Sequence, residues 1–452
     1  MILGKDYIKK NRIRKDCGEQ MRIVKLDENT REQALEKLIG RGASGYGDYE
    51  KTVQDIIANV RENGDEAVIG YEKKFDRCDL TTQTLRVSRE EIEEAYATLD
   101  PALIEVMKKA AANIRDYHEK QKRNSWITTR EDGVILGQKI TPIEVSGCYV
   151  PGGRAVYPSS VLMNIVPAKV AGVEKIIMCT PPGADGKAAA GTVAAADIAG
   201  ADEIYKVGGA QAIAAMAYGT QTIPKVDKIT GPGNIFVALA KKQCFGVTGI
   251  DSVAGPSEIL VIADSTANPR FVAADLLSQA EHDPMASAIL LTTDMALAKA
   301  VSDEIDGFLK TLSRAEIINK SLEDYGYIFV GDNMEDLIGA ANTIASEHLE
   351  IITANPYEVM TKIKNAGAIF LGSYSSEPLG DYFAGPNHIL PTNGTARFFS
   401  PLGVDDFVKK SSIISYSKEA LRAVHKDIEL FAMSEGLTAH ANSIAVRFEE
   451  EE

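Results

Sequence analysis

The stretch IYKVGGAQAIAAM, residues 204–216, places a short run of β-forming residues directly before two glycines and an alanine-rich helical pattern. Lys175–Thr180 and Val226–Thr230 repeat this order, since each is a short apolar run followed by a glycine-containing turn. Helices are predicted to begin near Ala210 and Asn234, directly after two of these turns. Repetition of strand, turn and helix is typical of a parallel sheet with helices on its faces.

A second set of strand patterns follows this unit along the chain. Short apolar runs occur at Glu258–Ala263, Ala288–Leu291, Tyr327–Val330 and Ala368–Leu371, and helical patterns separate them. The sequence therefore predicts two α/β units in tandem, although no residue-by-residue repeat relates them.

The two ends of the chain differ from this pattern. Near the N-terminus, apolar residues at three- and four-residue spacing predict helices over Tyr49–Glu62 and Glu90–Lys122, and the polar segment Arg123–Asp132 is predicted to be a loop. After Pro391, a loop-like stretch precedes an amphipathic helical pattern that ends near Gly436. That helix needs an apolar surface, which its own domain or a second subunit could provide.

The composition is that of a globular protein and excludes several classes of partner. The 452 residues are 45% apolar and 25% charged, and the formal net charge of −15 argues against nucleic-acid binding. No apolar run approaches the roughly 18 residues of a membrane span, and the N-terminus lacks the apolar core of a signal peptide. The five cysteines form no CxxC pair, which favours a reducing compartment. We therefore expect a cytoplasmic protein that binds neither membranes nor nucleic acid.

Five segments combine residue types that metal binding and proton transfer require. They are Gln279-Ala-Glu-His282 at a predicted helix end, Glu347-His348 before a predicted strand, the loop from Asp381 to His388, the tail segment from Glu435 to His440, and Ser257 ahead of a strand. Imidazole with oxygen donors suits a divalent metal, and Glu and His suit general acid–base catalysis. Taken alone, each segment is more typical of an ordinary polar turn, loop or helix end.

Glycine-containing turns at residues 147–153, 208–209 and 231–233 would allow a dinucleotide to approach the backbone. This pattern alone does not select a nicotinamide cofactor. Cys148, within the first of these turns, could act as a nucleophile, but a buried and inert thiol is the more typical state.

The chain resembles the histidinol dehydrogenase family in eight segments that occur in the family's order: GCYVPGG, VGGAQAIAA, VDKITGPGN, IDSVAGPSEILVIAD, LLSQAEHD, SEHL, GDYFAGPNHILPT and LTAH. The resemblance runs from about residue 50 to the C-terminus, and its order and spacing make it specific. Ser346 is a departure, because the family often has proline at this position. The family oxidises L-histidinol to L-histidine through L-histidinaldehyde, the last step of histidine biosynthesis, with two NAD and one zinc ion per site.

The resemblance and the strand pattern together predict an α/β fold with two incomplete Rossmann-like parallel-sheet domains in tandem, a helical N-terminal part and a small C-terminal dimerisation tail. Residues 1–140 and 256–391 would form one domain, residues 141–255 the NAD-binding domain, and residues 392–452 the tail. The family is homodimeric, and its tail reaches into the partner's site. The resemblance therefore implies shared active sites, to which Glu435 and His440 contribute across the dimer.

The resemblance also assigns roles to individual residues. The implied zinc ligands are Gln279, His282, Asp381 and His440; the acid–base pair is Glu347 and His348; further contacts to histidinol come from Ser257, His388 and Glu435; and NAD is contacted by Tyr149, Gln211 and Asn234. The implied substrate site thus comprises Ser257, Gln279, His282, His348, Asp381, His388, Glu435 and His440.

The implied reaction needs two bases. Hydride leaves an alcohol carbon only if the hydroxyl proton also leaves, and His348 is the predicted base for that proton. Addition of water to the aldehyde needs a base again, for which Glu347 is predicted, while zinc would act mainly as a template. Two alternatives remain open: the same scaffold acting on another polar alcohol such as a sulfonated diol, and a zinc hydrolase without a nicotinamide cofactor.

Overall fold

The structure, a computed structural model, describes residues 21–30, 32, 47–152, 157–253 and 255–449. The strands are β1 (Arg22–Lys25), β2 (Trp126–Thr129), β3 (Ile135–Pro142), β4 (Val145–Tyr149), β5 (Lys175–Thr180), β6 (Glu203–Lys206), β7 (Lys228–Thr230), β8 (Gly249–Ile250), β9 (Glu258–Ala263), β10 (Ser287–Thr292), β11 (Gly326–Val330), β12 (His348–Ile352), β13 (Ala368–Leu371) and β14 (Val408–Ser415). They form two parallel sheets and one antiparallel sheet.

Helices connect and flank these strands. They are α1 (Gly47–Asn63), α2 (Asp65–Tyr71), α3 (Arg89–Thr98), α4 (Pro101–Glu119), α5 (Pro158–Ala171), α6 (Ala190–Ala199), α7 (Gly209–Tyr218), α8 (Ile235–Cys244), α9 (Pro269–Ala280), α10 (Met295–Phe308), α11 (Ala315–Tyr325), α12 (Met334–Ile344), α13 (Pro356–Met360), α14 (Glu377–Tyr382), α15 (Lys418–Ser434) and α16 (Thr438–Ala445). A π-helical segment, Glu72–Asp76, follows α2.

The two parallel sheets have the same strand order. One runs β6-β5-β4-β7-β8, and the other runs β1-β11-β10-β9-β12-β13. Apart from the edge strand β1, each sheet is therefore ordered third, second, first, fourth, fifth along its own unit. Strands such as β5 and β9 are buried almost throughout, because helices cover both sheet faces. The predicted α/β fold with two parallel-sheet units in tandem is confirmed.

The antiparallel sheet was not predicted from the sequence. Its order is β14-β3-β2, so the segment predicted as the loop Arg123–Asp132 contains a strand, and part of the stretch after Pro391 forms another. All four residues of β2 are exposed, and β14 is largely exposed. Neither strand therefore has the buried apolar alternation by which strands are recognised.

The predicted helix Glu90–Lys122 is two helices rather than one. Pro101 begins α4, and the Asp100 side chain accepts a hydrogen bond from the Ala102 backbone N–H, so the chain restarts with a capped helix.

The N-terminal helices pack on the five-stranded sheet. Val53 and Ile56 of α1 join Ile213 and Met216 of α7 in one buried cluster, and Met107 of α4 joins another cluster of the same unit. Within the described N-terminal residues, only β1 pairs with the six-stranded sheet. The domain division remains a prediction, but this packing favours placing residues 47–119 with residues 141–255.

The C-terminal helices leave an apolar surface exposed. Helices α15 and α16 pack against each other, and Gly436 with a φ of +74° follows the end of α15 as predicted. Leu430 and Phe431 are nevertheless 72% and 70% exposed. Among the described residues, no helix is both long and apolar enough to cross a membrane.

Candidate active site

The candidate site lies between the two α/β units. His348 is the first residue of β12 and Glu258 the first residue of the neighbouring β9, so this half of the site is at the amino edge of the six-stranded sheet. The other unit reaches it through α5, where the Ser160 hydroxyl lies 3.3 Å from His388 Nε2. Loops at the carboxyl edge of a parallel sheet were expected to carry the site. Tyr149, at the end of β4, lies at such a carboxyl edge, whereas the Glu347-His348 pair lies at the amino edge of its sheet.

Glu347 is held by a reciprocal pair of hydrogen bonds with Glu258. The Glu258 backbone N–H donates to Glu347 Oε2 at 2.9 Å, and the Glu347 backbone N–H donates to Glu258 Oε2 at 3.3 Å. Burial raises the pKa of Glu347 well above its ordinary value, although the Glu258 N–H counteracts this effect. A raised pKa makes the ionised carboxylate a stronger base.

The backbone determines which nitrogen of His348 is available for chemistry. His348 Nδ1 lies 3.0 Å from the Glu258 carbonyl oxygen, which can only accept, so Nδ1 carries the proton. Nε2 therefore presents a lone pair, and it lies 3.9 Å from Asp381 Oδ1 without a hydrogen bond in the described structure. Burial lowers the pKa of His348 to about 3, so the ring is neutral.

Asp381 is the centre of a cluster of ionisable groups. Its Oδ1 lies 3.6 Å from His388 Nδ1, and its backbone carbonyl accepts from that nitrogen at 3.0 Å. Burial raises the pKa of Asp381 to about 6 and that of the adjoining Glu377 to about 8. Ligand atoms of His348, Glu377 and Asp381 all lie within 4.8 Å of one another, a spacing that suits one metal ion.

Gln279 supplies a further oxygen that could bind a metal, and this oxygen has no hydrogen-bond partner among the described residues. The residue is 1% exposed, yet neither its Oε1 nor its Nε2 has a hydrogen-bond partner in the described structure. An unpaired buried amide costs free energy unless a ligand satisfies it. Burial is the main cause that lowers the pKa of His388 to about 4, and His282, just after the same helix as Gln279, contributes to the lowered pKa of both His388 and His348. The donor set around Asp381 therefore fits a divalent metal.

Three further predicted site residues, Ser257, Glu435 and His440, also form no hydrogen bond to this cluster in the described part of the chain. Ser257 precedes β9 directly and is half-buried, so it adjoins the site by position. Glu435 and His440 lie in the exposed tail, and neither side chain forms a hydrogen bond or ion pair with Asp381, His348 or Gln279 there.

The residues predicted to contact NAD lie at the carboxyl edge of the five-stranded sheet. The Tyr149 hydroxyl accepts a hydrogen bond from the Gly209 backbone N–H at 3.0 Å, and the buried Gln211 donates through Nε2 to Glu72 Oε1 at 2.9 Å. Asn234 caps α8 by accepting hydrogen bonds from two backbone N–H groups. Tyr149 and Gln211 thus adjoin one turn, and Asn234 follows the turn after β7.

Cys148 has the properties of an inert thiol. It is 1% exposed, and burial raises the pKa of its thiol well above the ordinary value.

Two cavities adjoin these groups. The larger, of about 920 Å³, is lined by His348, Asp381 and His388 and extends to the loop after α4. The smaller, of about 410 Å³, lies beyond β4 and β5 and is lined by Pro151, Thr180 and other residues. The larger cavity has a size that is common for ligand sites.

Several site residues were missed because each is a single carboxylate in an apolar or ordinary context. Glu258 and Glu350 are buried in the strands EILVIA and HLEII, and Glu377 begins α14. A charged residue inside an otherwise apolar strand was the signal that could have identified the first two.

These features define an α/β enzyme with a metal-competent acid–base site between two parallel-sheet units. The sequence comparisons are more specific. A family model described as histidinol dehydrogenase matches residues 40–448, and the chain belongs to this family. It is 58% identical over 408 residues to the histidinol dehydrogenase of Halalkalibacterium halodurans, covering 90% of this chain and 96% of the relative.

Two further relatives agree with this membership. The histidinol dehydrogenase of Bacillus subtilis is 57% identical over 404 residues, which cover 89% of this chain and 94% of the relative. The crystal structure of histidinol dehydrogenase from Elizabethkingia anophelis superposes with a TM-score of 0.91 at 39% identity, covering 96% of this chain and 99% of that one. The family, the α/β fold and the oxidoreductase class predicted from the sequence are therefore confirmed.

Proposed function

We propose that this chain oxidises L-histidinol to L-histidine through L-histidinaldehyde, using NAD and one zinc ion per site. The observation that carries the proposal is the convergence of His348, Asp381 and His388 on one cavity, with the Glu347 carboxyl 3.6 Å from His348 Nδ1, in a chain of this family. We propose that this reaction is the last step of histidine biosynthesis and takes place in the cytoplasm.

His348 is the base for the hydroxyl proton in this proposal. Its Nδ1 is occupied by the Glu258 carbonyl, so Nε2 accepts the proton on the side that faces Asp381 and the cavity. Glu347 is the base for the water that adds to the aldehyde, because its buried carboxyl has a raised pKa and lies 3.6 Å from His348 Nδ1.

Zinc would be held by Gln279, His282, Asp381 and His440. When bound, it would orient the substrate amine and imidazole and satisfy the unpaired amide of Gln279. His388 and Ser257, with Glu435, would contact the substrate. His388 is fixed by Asp381 and Ser160, so its imidazole has a defined direction.

Bound NAD would supply the hydride acceptor for the two oxidations. Tyr149, Gln211 and Asn234 would bind it at the carboxyl edge of the five-stranded sheet, where Gly208 and Gly209 permit close approach to the backbone. This arrangement supports an oxidoreductase over a hydrolase with the same metal ligands.

A homodimer completes the site in this proposal. His440 and Glu435 are exposed and are not joined to Asp381 within the chain, and the neighbouring Leu430 and Phe431 expose apolar surface. Docking of the tail on a partner would cover that surface and supply both residues to the partner's site.

The experiment is NADH formation from L-histidinol by the purified zinc-loaded protein. We expect two NADH per histidinol consumed, with histidine as the product, and loss of turnover after chelation that added zinc restores. A sulfonated diol is the competing substrate, and hydrolysis of an acyl substrate without NAD is the competing reaction. Faster turnover of either, or no NADH from histidinol, would reject the proposal.

A further inference from the structure

Glu350 is a carboxylate in a strand that is buried throughout. It lies two residues after His348 in β12, so the alternation of a β-strand places the two side chains on one face of the sheet. It is 1% exposed, and its neighbours Leu349 and Ile351 are apolar. Burying a carboxylate costs free energy unless neighbouring groups interact with it. The contacts of Glu350 therefore indicate its role.

The first contact of Glu350 is with the helix that carries Asp381. Glu350 Oε1 accepts a hydrogen bond at 2.8 Å from the backbone N–H of Glu377, the first residue of α14. The residue before this helix, Ser376, provides no side-chain cap, so Glu350 satisfies this N–H from a different element. Asp381 follows one turn later, and a carboxyl oxygen of Asp381 lies within 4.8 Å of one of Glu377.

The second contact of Glu350 is with the helix that carries Gln279. Its carboxyl is close enough to that of Asp275 in α9 for the two acids to interact electrostatically, and Gln279 lies four residues further along that helix, on the same face. Ser278 of α9 also donates to Glu377 Oε2 at 3.0 Å. One buried side chain thus connects the strand that begins at His348 with the two helices that bear the predicted metal ligands.

We propose that Glu350 is a positioning residue, which holds α14 and α9 against β12 so that Asp381 and Gln279 face His348 across the metal site. The proposal rests on the proposed function only in taking Asp381 and Gln279 as zinc ligands. Glu350 itself does not line the cavity that contains His348 and Asp381.

The test compares Glu350→Leu with Glu350→Gln. Leucine has a similar volume but no acceptor, whereas the glutamine amide oxygen can still accept from the Glu377 N–H. We expect Glu350→Leu to weaken zinc binding at least tenfold, measured by competition with a chromogenic chelator, and to raise KM for histidinol with KM for NAD unchanged. Glu350→Gln should stay within about threefold of the wild type.

A matched control separates positioning from general destabilisation. Asp65 is another buried carboxylate that accepts a backbone N–H, that of Thr222, but it lies on the five-stranded unit. Asp65→Leu should lower the unfolding temperature without changing zinc affinity. If Glu350→Leu does not fold by circular dichroism, Glu350→Met takes its place.

The outcomes distinguish this proposal from the proposed function. Wild-type zinc affinity in a folded Glu350→Leu or Glu350→Met variant overturns the positioning role, whatever the substrate. A zinc-binding wild-type protein that forms no NADH from histidinol overturns the proposed function, and its zinc affinities still test Glu350.

Discussion

His348 can be a base or a metal ligand, and its surroundings allow the two roles to be separated. Its Nε2 lies within reach of both the cavity and Asp381, and the residue belongs to the three-residue group that could hold an ion. We predict that His348→Asn lowers kcat by about 10²–10⁴-fold, as expected for loss of a general base, while one zinc per chain is retained. Metal analysis of the purified variant checks this, and loss of zinc would make His348 a ligand.

Glu347 should act in the second oxidation rather than the first. We predict that Glu347→Gln still oxidises histidinol to the aldehyde but is slow in adding water to it. Stopped-flow measurement should then show one rapid NADH per site and a second that is slowed about 10²-fold or more. A variant that forms both NADH at wild-type rates would contradict this role, and His118→Gln serves as a control at a buried histidine away from Asp381.

Glu72 gives a pH-dependent cost to stability that is independent of the metal site. Burial is the main cause that raises its pKa to about 8 from an ordinary 4.5. Between these values the unfolded chain loses the proton and the folded chain keeps it, so stability falls as pH rises, by about 1.36 kcal/mol per unit at most.

The variant Glu72→Gln removes this titration. We predict that its stability advantage over the wild type grows from pH 5 to pH 8 and is constant above about pH 9. Urea unfolding across this range measures it. Glu66→Gln, at an exposed position of α2, is the control and should show no comparable trend; an advantage that is independent of pH would contradict the prediction.

The conformation of the turn after β7 requires glycine at position 231, which the sequence alone does not show. Gly231 has a φ of +112°, and a Cβ at this position would lie 2.0 Å from the Tyr149 carbonyl oxygen. Gly246 also has a positive φ, of +100°, but a Cβ there would meet nothing within 4 Å. The two positions therefore separate the cost of the backbone conformation from the cost of the close approach.

We predict that Gly231→Ala is much more destabilising than Gly246→Ala, which should cost about 1–2 kcal/mol from its conformation alone. Any Gly231→Ala protein that folds should also bind NAD more weakly, since β4 must move at Tyr149. Thermal unfolding and NAD titration provide the comparison, and equal effects of the two substitutions would show that the close approach is relieved at little cost.

Elements with a buried apolar pattern were predictable from the sequence, and exposed ones were not. Strands β5, β9 and β13 have the predicted bounds, because a short apolar run between turn residues leaves little alternative. Strands β2 and β14 were missed, since pairing between mostly exposed strands leaves no periodic signal. Strand β1 was missed because four residues inside a charged segment are too few for a pattern.

The candidate site shows a similar limit. The dense polar segments led to Glu347, His348, Asp381 and His388, which the structure brings together. The roles of these residues remain predictions. Glu258 and Glu350 were overlooked because their functions depend on which strands are neighbours, and strand order is a property of the tertiary fold.

At the scale of the whole molecule, the exposed tail leads to a test that one chain alone cannot provide. If His440 serves the partner's site, a dimer of one His348→Asn chain and one His440→Ala chain contains one intact site. That site combines His348 of the second chain with His440 of the first. If the tail serves its own chain, neither site of this hybrid is intact.

We predict that two inactive homodimers, His348→Asn and His440→Ala, regain activity when they are co-expressed. Random pairing gives hybrids as half of all dimers, each with one intact site of two, so about a quarter of the wild-type activity is expected. The control is the double variant His348→Asn/His440→Ala, co-expressed with the wild type. In such a hybrid one site lacks His440 and the other lacks His348, so only the wild-type homodimers should be active. Absence of recovery in the first mixture, with hybrids present by mass spectrometry, would place His440 in the site of its own chain.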